Sequence, residues 1–233
     1  MTDIEIIIAE LSALGGEEKA RHLARFFKTG KGQYGEGDRF LGLPVPLTRG
    51  VARRHKDTSL AAVEALLQSE WHEARLCALL IMAEKMKRAT AEEAGLIYKT
   101  YLANTGRINN WDLVDLSAPH VVGKYLADKP RAILYELAAS PLLWDNRIAI
   151  VSTFAFIKAK DLDDTFRLAL LLTGHTHDLM HKAVGWMLRE AGKRDMARLR
   201  VFVYEHVHRM PRTMLRYAIE KFPEDERRAV LRM

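Results

Sequence analysis

The spacing of apolar residues is the feature that most limits what this chain can fold into. In IEIIIAELSAL (4–14), EARLCALLIMAEKM (73–86) and ATAEEAGLIYKTYLA (89–103), apolar residues recur every three or four positions, which is the period of an α-helix. Glycine and proline interrupt this pattern at short intervals, and the alternation typical of strands is nearly absent. The sequence therefore predicts an all-α protein of about a dozen helices.

The helical segments also repeat along the chain. The segments EARLCALLIMA, DNRIAIVSTFA, MHKAVGWMLRE and MLRYAIEKF each place a basic residue ahead of an apolar run. Their spacing leaves room for one more equivalent position, which completes the series Arg75, Trp111, Arg147, Lys182 and Arg216 with steps of 36, 36, 35 and 34 residues. Self-similarity at this period is typical of stacked helical hairpins. We therefore predict an α-solenoid of HEAT-like hairpins, forming one domain over residues 1–233 with a concave basic groove.

The repeat predicts which side chains share that groove. Residues four positions apart lie on one face of a helix, so Asp115 accompanies Trp111 and Trp186 accompanies Lys182. If equivalent helices line the concave side, these four residues and Arg147 all project into it. The alternative reading is that periodic cations and aromatic residues merely cover neighbouring helices.

The positive charge is concentrated in the N-terminal quarter. The chain has 36 Lys and Arg against 30 Asp and Glu, a formal net charge of +6. Between Lys19 and Lys56 there are ten basic residues and only Glu36 and Asp38 as acids, which gives +8 for this segment. A basic region of this kind favours a polyanionic partner, most commonly nucleic acid. A solvated helix surface is the alternative explanation of the same charges.

Several classes of protein and site are disfavoured by composition. The one cysteine, Cys77, allows no internal disulfide framework, and no apolar run approaches the length of a membrane span. The N-terminal residues MTDIEIIIAE are acidic where a signal peptide is basic, so we expect a cytoplasmic protein. His175, His177 and His181 are close in sequence, but no HExxH carboxylate or cysteine joins them. We expect neither a metal nor a cofactor.

Two irregular segments remain as candidates for function. The stretch from Gly30 to Gly42 holds five of the fourteen glycines and is either a plain connection or a loop whose N–H groups bind phosphate. In NNWDLVDL, Asn109 or Asn110 suits a helix cap, and Asp112 in the first turn suits the positive helix end. Asp115 has no such structural explanation, so it is the candidate for stabilising a developing cation or activating water.

Three motifs resemble those of a known family. WDLVD (111–115), LWDNRIAIV (143–151) and HKAVGWMLRE (181–190) are similar to segments of the AlkD-like DNA alkylation repair glycosylases, which are HEAT-like-repeat proteins, and their order and spacing agree as well. The resemblance implies hydrolysis of the N-glycosidic bond of positively charged N3- and N7-alkylated purines, such as 3-methyladenine and 7-methylguanine, in duplex DNA. It further implies catalysis without full base flipping and without a cofactor. A groove-type DNA binder of this kind would act as a monomer.

The resemblance also implies roles for individual residues. Asp115 would be the catalytic carboxylate, Trp111 and Trp186 would pack around the deoxyribose of the lesion, and Arg147 would hold the DNA backbone. The other repeat positions, Lys182, Arg75 and Arg216, are predicted to add DNA contacts. The glycine-rich loop and Pro44 depart from the family pattern, so the resemblance does not extend to the N-terminal DNA contacts.

Two other functions remain open from the sequence. A non-catalytic helical-repeat protein would bind damaged or branched DNA in a salt-dependent manner without releasing a base. A protein–protein scaffold, a frequent use of α-solenoids, would not bind DNA, which the basic N-terminal segment argues against.

Overall fold

The computed structural model describes residues 1–233, and every regular element in it is a helix. There are fifteen α-helices, three short 3-10 helices and one π-helical turn, and the only β feature is an isolated bridge between Arg39 and Trp71. The prediction of an all-α fold is confirmed. None of the helices is both long enough and apolar enough to cross a membrane. The chain separates into two compact units, Met1–Tyr125 (unit 1) and Leu126–Met233 (unit 2).

Unit 1 contains seven α-helices. They are α1 (Asp3–Leu14), α2 (Glu17–Phe26), α3 (Val45–Arg54), α4 (Leu60–Leu67), α5 (His72–Met86), α6 (Ala91–Ala103) and α7 (Trp111–Asp115), with a 3-10 turn at Thr105–Arg107 and a π-helical turn at Pro119–Gly123. Helix α5 packs against α1, α3, α4 and α6, which is why it is apolar around almost its whole circumference and has 13 buried residues out of 15. Helix α7 and the π-helical turn also pack on α5.

Unit 2 contains the other eight α-helices. They are α8 (Ala132–Ala138), α9 (Leu143–Ser152), α10 (Phe154–Lys158), α11 (Asp163–Leu171), α12 (Asp178–Gly192), α13 (Met196–His206), α14 (Arg212–Ala218) and α15 (Glu224–Val230), with 3-10 turns at Leu172–Gly174 and Val207–Arg209. Helix α12 packs closely on α14, and a Cβ added at Gly185 would lie 2.5 Å from both the Met214 carbonyl oxygen and Tyr217 Cβ. Glycine at this position therefore allows the two helices to approach.

The repeat positions lie at corresponding places in their helices. Arg75 is the fourth residue of α5, whereas Arg147, Lys182 and Arg216 are each the fifth residue of α9, α12 and α14. Trp111 differs, because it is the first residue of a helix only five residues long. The apolar period thus located the helices correctly. The solenoid stacking, the concave groove and the single domain stay predictions.

Candidate functional site

Helix α7 carries the two candidate catalytic residues of unit 1, Trp111 and Asp115. The side chain of Asn110 accepts a hydrogen bond of 2.8 Å from the Trp111 N–H, so Asn110 is the N-cap and one of the two predicted cap positions is correct. Trp111 begins the helix and Asp115 ends it, one turn later on the same face. Both are partly exposed, while Asp112, Leu113 and Val114 between them are buried. A short, capped helix therefore presents an indole and a carboxylate side by side.

Both residues line a cavity of about 340 Å³ in unit 1. Its walls are almost wholly apolar and aromatic. The residues that line it include Phe26, Phe27, Phe40, His72, Trp111 and Asp115. The Phe27 and Trp111 rings stack with centroids 5.2 Å apart and an interplanar angle of 26°. Phe26 meets Trp111 edge-on at 6.0 Å and is 56% exposed. The cavity thus offers aromatic faces and a carboxylate to a flat or cationic group.

A buried group of charges, which sequence reasoning missed, lies against this cavity. His72 Nδ1 is 2.8 Å from Asp38 Oδ2, and His72 Nε2 is 2.8 Å from Asp112 Oδ2. The three side chains are 2–5% exposed. Asp38 also pairs with Arg75. We call these four residues the charge cluster: it joins the glycine-rich loop (30–42), α5 and the start of α7.

The charge cluster shifts the pKa values of its members. Burial alone would lower the pKa of His72, but the charge and hydrogen bond of Asp112, followed by those of Asp38, outweigh burial and raise it to about 9. Burial also opposes ionisation of Asp38. The neighbouring His72 and Arg75 nevertheless hold the pKa of this carboxyl below its usual value. At neutral pH the ring of His72 is therefore an imidazolium, and it lies between the carboxyl groups of Asp38 and Asp112.

The position of Arg75, which was predicted to contact DNA, leaves only a small part of its side chain accessible. Its side chain is 3% exposed, and besides Asp38 it donates to the carbonyl oxygens of Ser69 and Glu70 at 3.0 and 3.2 Å and to Asn109 Oδ1 at 3.2 Å. A guanidinium held by so many protein groups is a structural element. The repeat pattern located its helix but could not distinguish a surface cation from a buried one.

The glycine-rich loop also differs from its phosphate-binding interpretation. Glu73 Oε1 accepts hydrogen bonds from the N–H groups of Gly42 and Leu43 at 2.8 and 3.0 Å, and Glu73 Oε2 accepts one from Leu41 at 2.8 Å. The end of the loop therefore binds an internal carboxylate in place of a phosphate. Gly42 has φ +92° and lies against the backbone of Gly16, so a side chain there would be strained and would collide.

Unit 2 holds the other predicted residues. Trp186 is partly exposed on α12 and lies 5.9 Å from Phe154, ring centre to ring centre. Lys182 is 42% exposed and forms an ion pair of 2.8 Å with Asp178. Arg216 is exposed on α14. Arg147 is 5% exposed and donates to the Leu179 carbonyl oxygen at 2.6 Å, so any DNA contact is restricted to a small part of its side chain.

The basic N-terminal segment provides surface cations in unit 1. Lys19, Arg25, Lys28 and Lys31 are exposed on α2 and the loop that follows it, and none has an ion-pair partner. They lie in sequence on both sides of Phe26 and Phe27, which line the cavity. Exposed cations on the segment that also contributes two rings to the aromatic cavity suit a polyanion that carries flat bases.

The histidine group of unit 2 has a structural role. His175 Nε2 lies 3.2 Å from Asn146 Oδ1, His175 Nδ1 accepts from the His177 N–H, and His181 Nε2 contacts the His175 carbonyl oxygen. These contacts fix the turn that leads into α12. No group of three or more histidine, cysteine, aspartate or glutamate side chains is arranged to hold a metal ion.

Comparisons with known proteins bear on the fold and the family of this chain. A search of curated proteins finds no match. Among solved structures, the chain is similar to a predicted DNA alkylation repair enzyme from Enterococcus faecalis, with a TM-score of 0.69 and 18% identity over 90% of this chain and 97% of that one. At this identity the likeness establishes the fold. The family model described as DNA alkylation repair enzyme matches residues 7–222. Since that match spans almost the whole chain, the protein belongs to the DNA alkylation repair enzyme family.

Proposed function

We propose that this protein is a DNA glycosylase that removes N3- and N7-alkylated purines from duplex DNA. The observation that carries the proposal is the pairing of Trp111 and Asp115 on one face of α7, at the wall of an aromatic cavity. Membership of an alkylation repair family supplies DNA as the partner and alkylation damage as the context. An oxidative dealkylation or alkyl transfer would need a metal or nucleophilic centre, and the cavity wall supplies a carboxylate and aromatic rings.

The chemistry of the lesion suits this set of groups. An N3- or N7-alkylated purine carries a positive charge, so it can leave as a neutral base without a general acid. When the bond between C1′ and the base nitrogen breaks, its electron pair stays with the base and positive charge develops on the deoxyribose. Water then adds to C1′ and loses a proton, which leaves an abasic site and the free base.

Asp115 and the aromatic rings would act on that developing charge. An ionised Asp115 stabilises an oxocarbenium-like sugar and orients the attacking water. The face of Trp111 favours a cation by about 0.5–2 kcal/mol. We infer the same role for Trp186, and phosphate contacts for Lys182, Arg216 and the exposed edge of Arg147. Such contacts give salt-dependent affinity and leave the choice of lesion to its charge.

The test is release of 7-methylguanine from methylated duplex DNA under single-turnover conditions. We expect Asp115→Asn to slow release by about 10²–10³-fold, because it removes the charge but keeps the shape of the side chain. DNA affinity should remain, because Asp115 repels phosphate. Asp225→Asn, on the exposed first turn of α15, is the matched control with the same change in net charge and should behave as wild type.

Each alternative function gives a different result in this assay. DNA binding without release from the wild type would indicate a non-catalytic protein that binds damaged or branched DNA. Release that is equally fast in Asp115→Asn would keep the glycosylase activity but remove the carboxylate from its mechanism. If the wild type neither binds DNA nor releases a base, the protein–protein scaffold is the remaining alternative.

A further inference from the structure

We propose that His72 is a positioning residue, which fixes the orientation of Trp111 and Asp115 by joining the glycine-rich loop to helix α7. Its effect on catalysis rests on the proposed glycosylase function, whereas its effect on Trp111 does not. Each of the two ring nitrogens of His72 faces a carboxylate oxygen at 2.8 Å.

The hydrogen bonds require a doubly protonated ring. A carboxylate oxygen can only accept a hydrogen bond, so a ring that bonds to a carboxylate through each nitrogen must donate twice, and only the imidazolium has two N–H groups. Because both hydrogen bonds are charge-assisted and buried, each is stronger than a hydrogen bond between two neutral groups. His72 therefore acts as a clamp with two fixed ends, one in the loop and one in α7.

Helix α7 depends on such outside contacts. A helix of five residues has too few internal hydrogen bonds to hold its own orientation. Its first turn is held by the Asn110 cap and by the bond from His72 to Asp112. Asp115 lies three residues beyond Asp112, so a rotation of the helix about this point would move the carboxylate across the cavity.

The same imidazolium also supports the aromatic wall of the cavity. Its ring stacks on Phe40 at 4.5 Å with an angle of 24° and lies 5.1 Å from Phe27. Phe27 in turn stacks on Trp111. His72 thus contacts both α7, which carries Trp111 and Asp115, and Phe27, whose ring stacks on Trp111.

The other charged groups around the cluster are engaged with partners of their own. Arg107, which interacts electrostatically with Asp38, donates to the Gln68 and Ser69 carbonyl oxygens at 2.9 Å. Arg75 lies on the far side of Asp38 and pairs with it, and Glu73 is engaged with the backbone N–H groups of residues 41–43. Without the imidazolium, Asp112 would be a buried carboxylate with no cationic partner. We expect α7 to rotate until that carboxylate reaches water, which would move Trp111 as well.

The experiment combines a structural and a catalytic readout on the full chain. The variants are His72→Gln, which keeps a donor nitrogen but no charge, and Asp112→Asn, which keeps the shape of the Asp112 side chain. His55→Gln is the matched control, because His55 also meets a carboxylate at 2.8 Å, that of Glu10, but does not contact the cavity. All measurements are made well below the unfolding temperature of each variant, so that every sample is folded.

The structural readout is the indole N–H resonance of Trp111 in a ¹H–¹⁵N spectrum, assigned with Trp111→Phe. We expect this resonance to shift and broaden in His72→Gln and to move less in Asp112→Asn. The resonances of Trp144 and Trp186, both in unit 2, should keep their positions. We expect base release to slow by about 10- to 100-fold in His72→Gln with little change in DNA affinity, as displacement of a catalytic group causes.

The outcomes separate the two proposals. An unmoved Trp111 resonance would overturn the positioning role of His72. If the wild type releases base, a release rate of His72→Gln equal to that of His55→Gln would overturn it as well. If the wild type releases no base but the Trp111 resonance moves only in the two cluster variants, the glycosylase proposal fails and the positioning of Trp111 stands. Should His72→Gln fail to fold, Asp112→Asn decides by the same two criteria.

Discussion

His72 couples the stability of unit 1 to pH, because its charge is held between two buried carboxylates. Its pKa is raised from 6.5 to about 9 in the folded protein, so the folded state binds more protons than the unfolded state between these values. The stabilisation is therefore complete below pH 6.5 and is lost as the pH rises through 9. We expect the free energy of unfolding to fall by about 2–3 kcal/mol more in the wild type than in His72→Gln over this range. Urea unfolding of both proteins at pH 6 and pH 9.5 measures this difference. An equal change in the free energy of unfolding of the two proteins would contradict the prediction.

Arg75 and Arg216 occupy equivalent repeat positions but should respond differently to substitution. Arg75→Met removes the ion pair between Arg75 and the buried carboxylate of Asp38. We therefore expect a loss of about 3–5 kcal/mol in the free energy of unfolding. Arg216→Met removes an exposed cation and should leave stability nearly unchanged. If Arg216 contacts a phosphate, its variant should also lower the salt dependence of DNA binding by about one counterion. Equal stability of the two variants would contradict the structural role of Arg75.

At the scale of single elements, the helices were predictable and the charge cluster was not. The apolar period is a local signal, which is why α5, α9 and α12 were located from the sequence. The bonds from His72 to Asp38 and Asp112 join residues 34 and 40 positions apart, and one of them lies in a loop without any period. Asp112 was correctly given a structural role, but its main partner, His72, follows from packing alone. The sequence likewise gave no sign that Glu73 binds the loop backbone.

Helix α7 allows the contribution of a cap to be separated from that of catalysis. Asn110→Ala removes the side-chain acceptor for the Trp111 N–H and should cost about 1 kcal/mol of stability, up to about 2. Thr90→Ala removes the equivalent cap of α6, which has no part in the cavity, at a similar cost. We expect only Asn110→Ala to slow release of 7-methylguanine when both variants are fully folded. Equal rates in the two variants would show that the cap does not help to place Trp111 and Asp115.

On the scale of the whole molecule, the distribution of charge matters more than its sum. The net charge is +6, whereas residues 19–56 alone carry +8, so the remainder is slightly acidic. Many basic residues elsewhere are already neutralised by neighbouring carboxylates, as Lys87 is by Glu84 and Lys193 by Glu190. Unpaired cations release more counterions on binding DNA than paired ones. The affinity for DNA should therefore depend mainly on the exposed cations of α2 and the loop after it.

Two quadruple variants with the same change in net charge test this dependence. The first replaces the unpaired residues with glutamine (Lys19, Arg25, Lys28 and Lys31), and the second replaces four ion-paired lysines (Lys87, Lys129, Lys193 and Lys221). If all four unpaired cations contact phosphate, the first variant should lower the slope of log K against log salt by about 3–4. The second should lower it by much less, because its cations are shared with protein carboxylates. Fluorescence anisotropy with duplex DNA at several salt concentrations measures both slopes. Equal slopes would mean that net charge alone governs binding, and the N-terminal cations would then have no special part in holding DNA beside the Trp111 cavity.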